Sequence, residues 1–167
     1  MDTQVPEWLL RDSALSEAIG RITVNFALLE EAISLCIWAL IRGEEPIGQI
    51  VTAQLSFRQL VDLFCSLYRF QVSDPTVLDE LEGIRKSLHE AEERRNRIIH
   101  SGWAAGHEPG LGFRTKTVAK AKQGLQHQFE KIRASDVHAL ADFLARLADQ
   151  IVELMDKTPF GETETSF

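Results

Sequence analysis

The chain has 167 residues, of which 44% are hydrophobic and 26% are charged, a balance typical of a globular protein with a core of its own. Its formal net charge of −7 argues against a protein that coats nucleic acid through overall electrostatic attraction, because such proteins are usually basic. We predict a single domain over residues 1–157 and a disordered tail over residues 158–167.

Three long helices are predicted before residue 103. Asp12 or Ser13 can cap the first helix, which should run to about Arg42. The second helix is expected from 47 to 70 after a turn at Pro46, and the third from 78 to 100. Apolar residues spaced three and four apart mark the buried stripe of the first helix: Leu15, Ile19, Ile22, Phe26, Leu29, Ile33, Cys36, Ile37 and Leu40.

The pattern changes at Trp103, where glycine and proline become frequent. Residues 112–118 alternate as a strand would, and residues 126–132 can pair back on them across Gly124. Ser135 or Asp136 can then cap a last amphipathic helix that ends near residue 157. The sequence therefore predicts a mainly α fold, an up-and-down four-helix bundle with a β-hairpin inserted at about 103–133, before the last helix.

One arginine occupies a position where the third helix should be apolar. Its buried stripe is formed by Leu81, Ile84, Leu88, Ala91, Arg95 and Ile98. A guanidinium stays charged at any ordinary pH, and desolvating it without a partner costs several kcal/mol or more. Arg95 therefore needs a carboxylate, a phosphate or water in a cleft. Glu30 on the first helix is a candidate carboxylate; the alternative is that Glu30 is an exposed helix charge.

A histidine follows at the end of the same helix. Ser101 and Gly102 supply a helix stop, which leaves His100 in the last turn, where the negative end of the helix dipole favours an imidazolium. Asn96 and His100 are four apart and share a face, whereas Arg95 and His100 diverge by about 140° around the axis. A long arginine side chain can span that gap if the helix end opens onto a cavity.

The segment Arg95-Asn96-Arg97-Ile98-Ile99-His100 resembles the RNxxxH motif of the HEPN superfamily. The resemblance covers Ser13 to about Trp103 and the last helix. It implies a small all-helical domain, a homodimer in which Arg95 and His100 of both chains line one cleft, and RNA as the substrate. Many members of that family are metal-independent endoribonucleases in toxin–antitoxin, phage-defence and RNA-processing systems, so a nucleotidyltransferase-like antitoxin is a candidate partner.

Two functions follow from this motif. In the first, the protein is a metal-independent endoribonuclease in which His100 transfers protons and Arg95 binds the phosphate. The residues predicted to orient or bind the substrate are Asn96, Arg97 and Glu30. In the second, it is a non-catalytic HEPN-like dimerisation or binding module, with Arg95 in a structural ion pair and His100 as a helix C-terminal group. Neither function requires a cofactor.

Basic residues are concentrated in two segments despite the acidic total. One cluster lies on the third helix and the other follows Gly112: Arg85, Lys86, Arg94, Arg95 and Arg97, then Arg114, Lys116, Lys120 and Lys122. They predict a local positive cleft; the alternative is a set of solvated faces. None of the five histidines shows HxxxH or HExxH spacing, so no metal site is expected.

Other sequence features favour a cytoplasmic protein. Cys36 and Cys65 stand inside apolar helical runs without CxxC spacing, which predicts buried thiols in a reducing compartment. The N-terminus lacks a basic segment followed by an apolar one, so no export signal is expected. The most apolar stretch, 33–41, is too short to span a bilayer, so no membrane association is expected.

Overall fold

A computed structural model describes residues 12–42, 45–120 and 124–157. The described chain is mainly helical and contains a small antiparallel sheet, which confirms the predicted class. Its helices are α1 (Ser13–Ile41), α2 (Glu45–Thr52), α3 (Phe57–Gln71), α4 (Pro75–Ile99) and α5 (Ala134–Asp156). Its strands are β1 (Gly102–Ala105), β2 (Leu111–Lys120) and β3 (Gly124–Arg133).

The sheet lies between α4 and α5 in the sequence and has the strand order β1-β2-β3. Strand β2 pairs antiparallel with both neighbours, so that Arg114 stands opposite Trp103 on one side and Glu130 on the other. The predicted hairpin is therefore confirmed. Strand β1 was not predicted, because its four residues are too few to show an alternating pattern.

The single helix expected over 47–70 is wrong, since two helices replace it. Helix α2 ends at Thr52, and α3 begins after Ser56, whose hydroxyl accepts a hydrogen bond from the backbone N–H of Gln59 (3.4 Å). The Gln59 side chain accepts in return from the Ser56 backbone N–H (2.9 Å), completing a capping box. The described residues thus contain five helices rather than the four of the predicted bundle.

The described chain divides into two compact units. The first comprises 12–24, 93–120 and 124–142, and the second comprises 25–42, 45–92 and 143–157. Helices α1, α4 and α5 each contribute a segment to both units. The single domain over 1–157 stays a prediction, and the tail 158–167 lies outside the described residues.

Helix α1 is capped as the sequence predicts. The Asp12 carboxylate accepts from the backbone N–H of Leu15 (2.9 Å) through Oδ1 and from that of Gly110 (2.6 Å) through Oδ2. These two donors hold the pKa of Asp12 below its usual range, because they stabilise the ionised carboxylate. Asp12 therefore joins the start of α1 to the turn between β1 and β2 in the first unit.

The second unit is held by aromatic and polar contacts in its core. The rings of Phe26 and Phe57 lie 4.6 Å apart between centroids. The buried Tyr68 hydroxyl donates to the Leu154 carbonyl (3.0 Å), which links α3 to α5. Both cysteines of this unit are buried, as predicted, and burial raises the pKa of Cys36 to about 12 and that of Cys65 to about 11.

Helix α2 packs on α1 through a glycine. A Cβ atom added to Gly48 would lie 2.6 Å from Trp38 Cδ1, so only glycine fits there without movement. The Trp38 indole N–H donates to Thr52 Oγ1 (3.0 Å), and the Thr52 hydroxyl donates to the Gly48 carbonyl (3.0 Å). Three apolar side chains of α2 are exposed, namely Ile47, Ile50 and Val51.

By length and composition, α1 is apolar enough to cross a membrane. The stretch 33–41 alone therefore underestimates its apolar length. One third (33%) of its most apolar part is buried, and the buried positions Ile22, Phe26, Leu29 and Ile33 recur at steps of four, three and four residues. This is the pattern of a helix that contributes one face to a protein core.

Candidate functional site

The predicted motif forms the last turn of α4. The helix ends at Ile99, and the His100 backbone N–H still donates to the Asn96 carbonyl (3.1 Å). Ser101 then turns its hydroxyl back to the Arg97 carbonyl (2.6 Å). His100 is therefore held by the helix backbone while its side chain is exposed.

Side chains from the sheet satisfy the carbonyl groups at this helix end. The last carbonyls of any helix lack partners within the helix. Here Arg114 Nη1 of β2 donates to the Arg97 carbonyl (2.9 Å), and the Trp103 indole N–H of β1 donates to the Ile98 carbonyl (3.1 Å). A cation at the negative end of a helix is also favourable. The sheet thus fixes the turn that carries His100.

A carboxylate joins two arginines beside this turn. The Arg114 side chain is only 10% exposed, and its Nη2 donates to Glu130 Oε2 on the facing strand. The same Glu130 oxygen lies 3.7 Å from Arg97 Nη2, whose side chain is 62% exposed. Glu130 therefore holds the buried guanidinium tightly and the exposed one loosely.

A cavity of about 460 Å³ opens next to His100, and we call it the His100 cavity. Its volume falls in the range of about 300–1,000 Å³ usual for ligand sites. Residues of α4, of the turn after it and of β2 line it: Glu93, Asn96, Arg97, His100, Arg114 and Lys116. Three permanent cations and one imidazole thus line the cavity together with a single carboxylate, so its lining carries an excess of positive charge.

A second cavity, of about 200 Å³, shares two of these residues. Arg97 and Arg114 line both cavities, whereas Glu130 and Lys131 line only the second one. The second cavity is mixed in character, because Ile98, Ile132, Val137 and Leu140 also line it. Arg94 and Asp136 line the second cavity as well, so four cations and two carboxylates line it. Three cations and one carboxylate line the His100 cavity, so both cavities carry the same formal excess of positive charge, and His100 distinguishes the first of them.

Asn96, Arg97 and His100, three residues predicted for the site, meet in the His100 cavity. Arg95 is not part of its lining: it is half-buried on the predicted stripe, and its Nη1 donates to Asn96 Oδ1 (2.9 Å). Arg95 thus contacts the cavity through Asn96. Glu30 belongs to the second unit, and its pairing with Arg95 stays a prediction.

The chain matches no protein-family model, and neither curated proteins nor solved structures give a significant match. The likeness to HEPN proteins therefore depends on residues 95–100 and their place at the end of α4. Among the described residues, no three His, Cys, Asp or Glu side chains are grouped so that they could hold a metal ion.

Sequence reasoning found some of the remaining site residues and missed others. Arg114 and Lys116 belong to the basic segment that was expected to form a positive cleft, but nothing in the sequence placed that segment beside His100. Glu130 was missed altogether. The signal that could have found it is the pairing register of β2 and β3, which sets Glu130 directly opposite Arg114.

Proposed function

We propose that the protein is a metal-independent endoribonuclease of HEPN type that acts in the cytoplasm as a toxin or phage-defence component. The observation that carries the proposal is the His100 cavity, where one imidazole shares a solvent-open space with the exposed side chains of Arg97 and Lys116, beside the largely buried Arg114. A phosphodiester needs such cations for binding, and its cleavage by the adjoining 2′-OH needs a group that moves protons.

The reaction divides among the residues as follows. An imidazole removes the proton from the 2′-OH, the 2′-oxygen forms a new bond to phosphorus, and the bond to the 5′-oxygen breaks. A proton delivered to that 5′-oxygen completes the step, leaving a 2′,3′-cyclic phosphate and a 5′-OH. Arg97 stabilises the charge on the phosphoryl oxygens, and Asn96, held by Arg95, orients the substrate.

From the resemblance to HEPN proteins we also propose that the chain forms a helical bundle and a homodimer. In such a dimer His100 and the partner subunit's His100 would serve as base and acid for the same phosphodiester. The partners proposed are RNA and a nucleotidyltransferase-like antitoxin, and no membrane is involved. In this proposal α1 is a core helix, as its buried stripe indicates.

The alternative function is a non-catalytic dimerisation or binding module. The observation that favours it is the use already made of Arg114, whose guanidinium binds a helix carbonyl and a carboxylate and is largely withdrawn from solvent. A site built for structure alone would contain such an arginine. The exposure of His100 favours the endoribonuclease, because a purely structural histidine at a helix end needs no cavity.

Incubation of purified protein with mixed RNAs in excess chelator distinguishes the endoribonuclease from the non-catalytic module. We expect cleavage that His100→Ala lowers by a factor on the order of 10²–10⁴, the usual contribution of a positioned acid or base. His107→Ala is the matched control, because His107 is also exposed but lies in the turn between β1 and β2. Intact RNA after incubation with the wild-type dimer, or equal cleavage by His100→Ala, would contradict the endoribonuclease.

A further inference from the structure

We propose that Arg97 and Lys116 form a binding site for the RNA phosphate backbone beside His100, and that Glu130 competes with that backbone for Arg97. The inference rests on the proposed function only for the identity of the ligand as RNA. What it adds is the role of the sheet, which is outside the HEPN-like part of the chain: β2 supplies a binding residue and β3 supplies the competitor.

The contact between Arg97 and Glu130 indicates where Arg97 can place an anion. Carboxylate and phosphate groups present the same pair of oxygens to a guanidinium, so a position that accepts one can accept the other. The two side chains are 62% and 47% exposed and their nearest atoms are 3.7 Å apart. Exposed pairs of this kind contribute little stability, so a polyanion can replace Glu130 at Arg97.

Arg114 cannot make the same exchange. Its side chain is 10% exposed and is bound to the Arg97 carbonyl and to Glu130. When Arg97 leaves, Glu130 therefore keeps its partner Arg114, and no carboxylate is left without a counter-ion in the protein. Arg97 and Arg114 thus have different functions, and only Arg97 reaches the ligand.

Lys116 supplies the second binding group. Lys116 follows Arg114 by two residues on β2. Residues two apart in a strand lie on the same face of the sheet, so Arg114 and Lys116 share one face. Its side chain is exposed and lines the His100 cavity. Among the residues that the structure describes, Lys116 forms no ion pair. An exposed lysine without a carboxylate partner is available for a phosphate.

The test measures binding of a fluorescein-labelled, fully 2′-O-methylated oligoribonucleotide to the full-length protein by fluorescence anisotropy. This probe cannot be cleaved, because the attacking 2′-OH is blocked. We expect Glu130→Gln to tighten binding about threefold, which is the effect of removing one charge about 7 Å from a phosphate in a water-like medium. We expect Arg97→Ala and Lys116→Ala each to weaken binding and to reduce the slope of log K against log salt by about 0.7.

Two variants serve as matched controls. Glu108→Gln removes the same charge from the turn between β1 and β2, and Lys131→Ala removes a lysine that lines only the second cavity. Both should bind the probe as the wild type does. In the Arg97→Ala background the gain from Glu130→Gln should shrink, because the competition for Arg97 has been removed.

If folded Glu130→Gln binds the probe as well as the wild type or more weakly, Glu130 does not compete with RNA for Arg97. If Lys116→Ala binds with full affinity and an unchanged salt slope, Lys116 is not part of a phosphate-binding site. Should Glu130→Gln fail to fold, Lys116→Ala decides alone, since Lys116 is exposed. A wild-type protein that binds the probe through these residues but cleaves no RNA would refute the proposed function and leave this inference standing. A protein that cleaves RNA while Arg97→Ala and Lys116→Ala bind normally would refute this inference only.

Discussion

Replacing Arg114 by alanine should destabilise the protein by about 2–3 kcal/mol. The substitution removes a charge-assisted hydrogen bond to the Arg97 carbonyl, and such bonds contribute about 1.5–3 kcal/mol. The lost pair with Glu130 adds less, because that carboxylate is 47% exposed and water can replace the guanidinium. Since 1 kcal/mol corresponds to about 2–4 °C in a chain of this size, the melting temperature should fall by roughly 4–12 °C.

Urea unfolding followed by circular dichroism measures this change directly. Arg114→Lys should lie between the wild type and Arg114→Ala, because lysine keeps the charge but has one nitrogen in place of the two with which Arg114 binds the Arg97 carbonyl and Glu130. Lys131→Ala should stay within about 0.5 kcal/mol of the wild type, since Lys131 is exposed. In addition, the His100 amide hydrogen should exchange faster in Arg114→Ala. If Arg114→Ala is as stable as the control, the sheet does not hold the end of α4 and this reasoning fails.

Three further predictions concern other parts of the chain. Gly48→Ala should lower the free energy of unfolding by about 1–3 kcal/mol, because its new methyl group meets Trp38. Gly83→Ala has open space around the new methyl group and should raise the free energy of unfolding by up to about 1 kcal/mol. Urea unfolding should therefore show changes of opposite sign for the two variants. Because the pKa of Asp12 is lower in the folded chain than in the unfolded one, its carboxylate stabilises the fold above about pH 4 and this stabilisation is lost as pH falls through the folded pKa. Asp12→Ala should therefore be less stable than the wild type near neutral pH and equal to it in strong acid; a difference that persists in acid would contradict this. The two buried thiols should react with a thiol reagent far more slowly in the native protein than in urea, and equal rates would show that they are accessible.

The sequence was sufficient for the elements whose signals are local. Helices α1, α4 and α5 are long, periodic and capped, so their predicted ends agree with the structure to within a few residues. The break at 53–56 was missed because apolar residues continue on both sides of it, and only the Ser56 cap separates α2 from α3. Apolar periodicity reports which side chains are buried, not whether the backbone is continuous.

The residues of the candidate site likewise fall into those that local sequence signals predict and those that depend on contacts distant in sequence. Asn96 and His100 could be placed together because they are one helical turn apart, and the half-burial of Arg95 followed from its stripe. The contribution of Arg114, Lys116 and Glu130 depends on where the sheet meets the end of α4. That contact joins residues distant in sequence, and no local pattern encodes it.

The chemical nature of the RNA ends produced in excess chelator tests the central claim most directly. If His100 activates the RNA's own 2′-OH in a cavity lined by arginine and lysine, the products carry 2′,3′-cyclic phosphate and 5′-OH ends. An RNA with a single 2′-deoxy position should then resist cleavage there. Products with 3′-OH and 5′-phosphate ends, or cleavage at the 2′-deoxy position, would contradict the account, because water rather than the 2′-OH would then be the nucleophile.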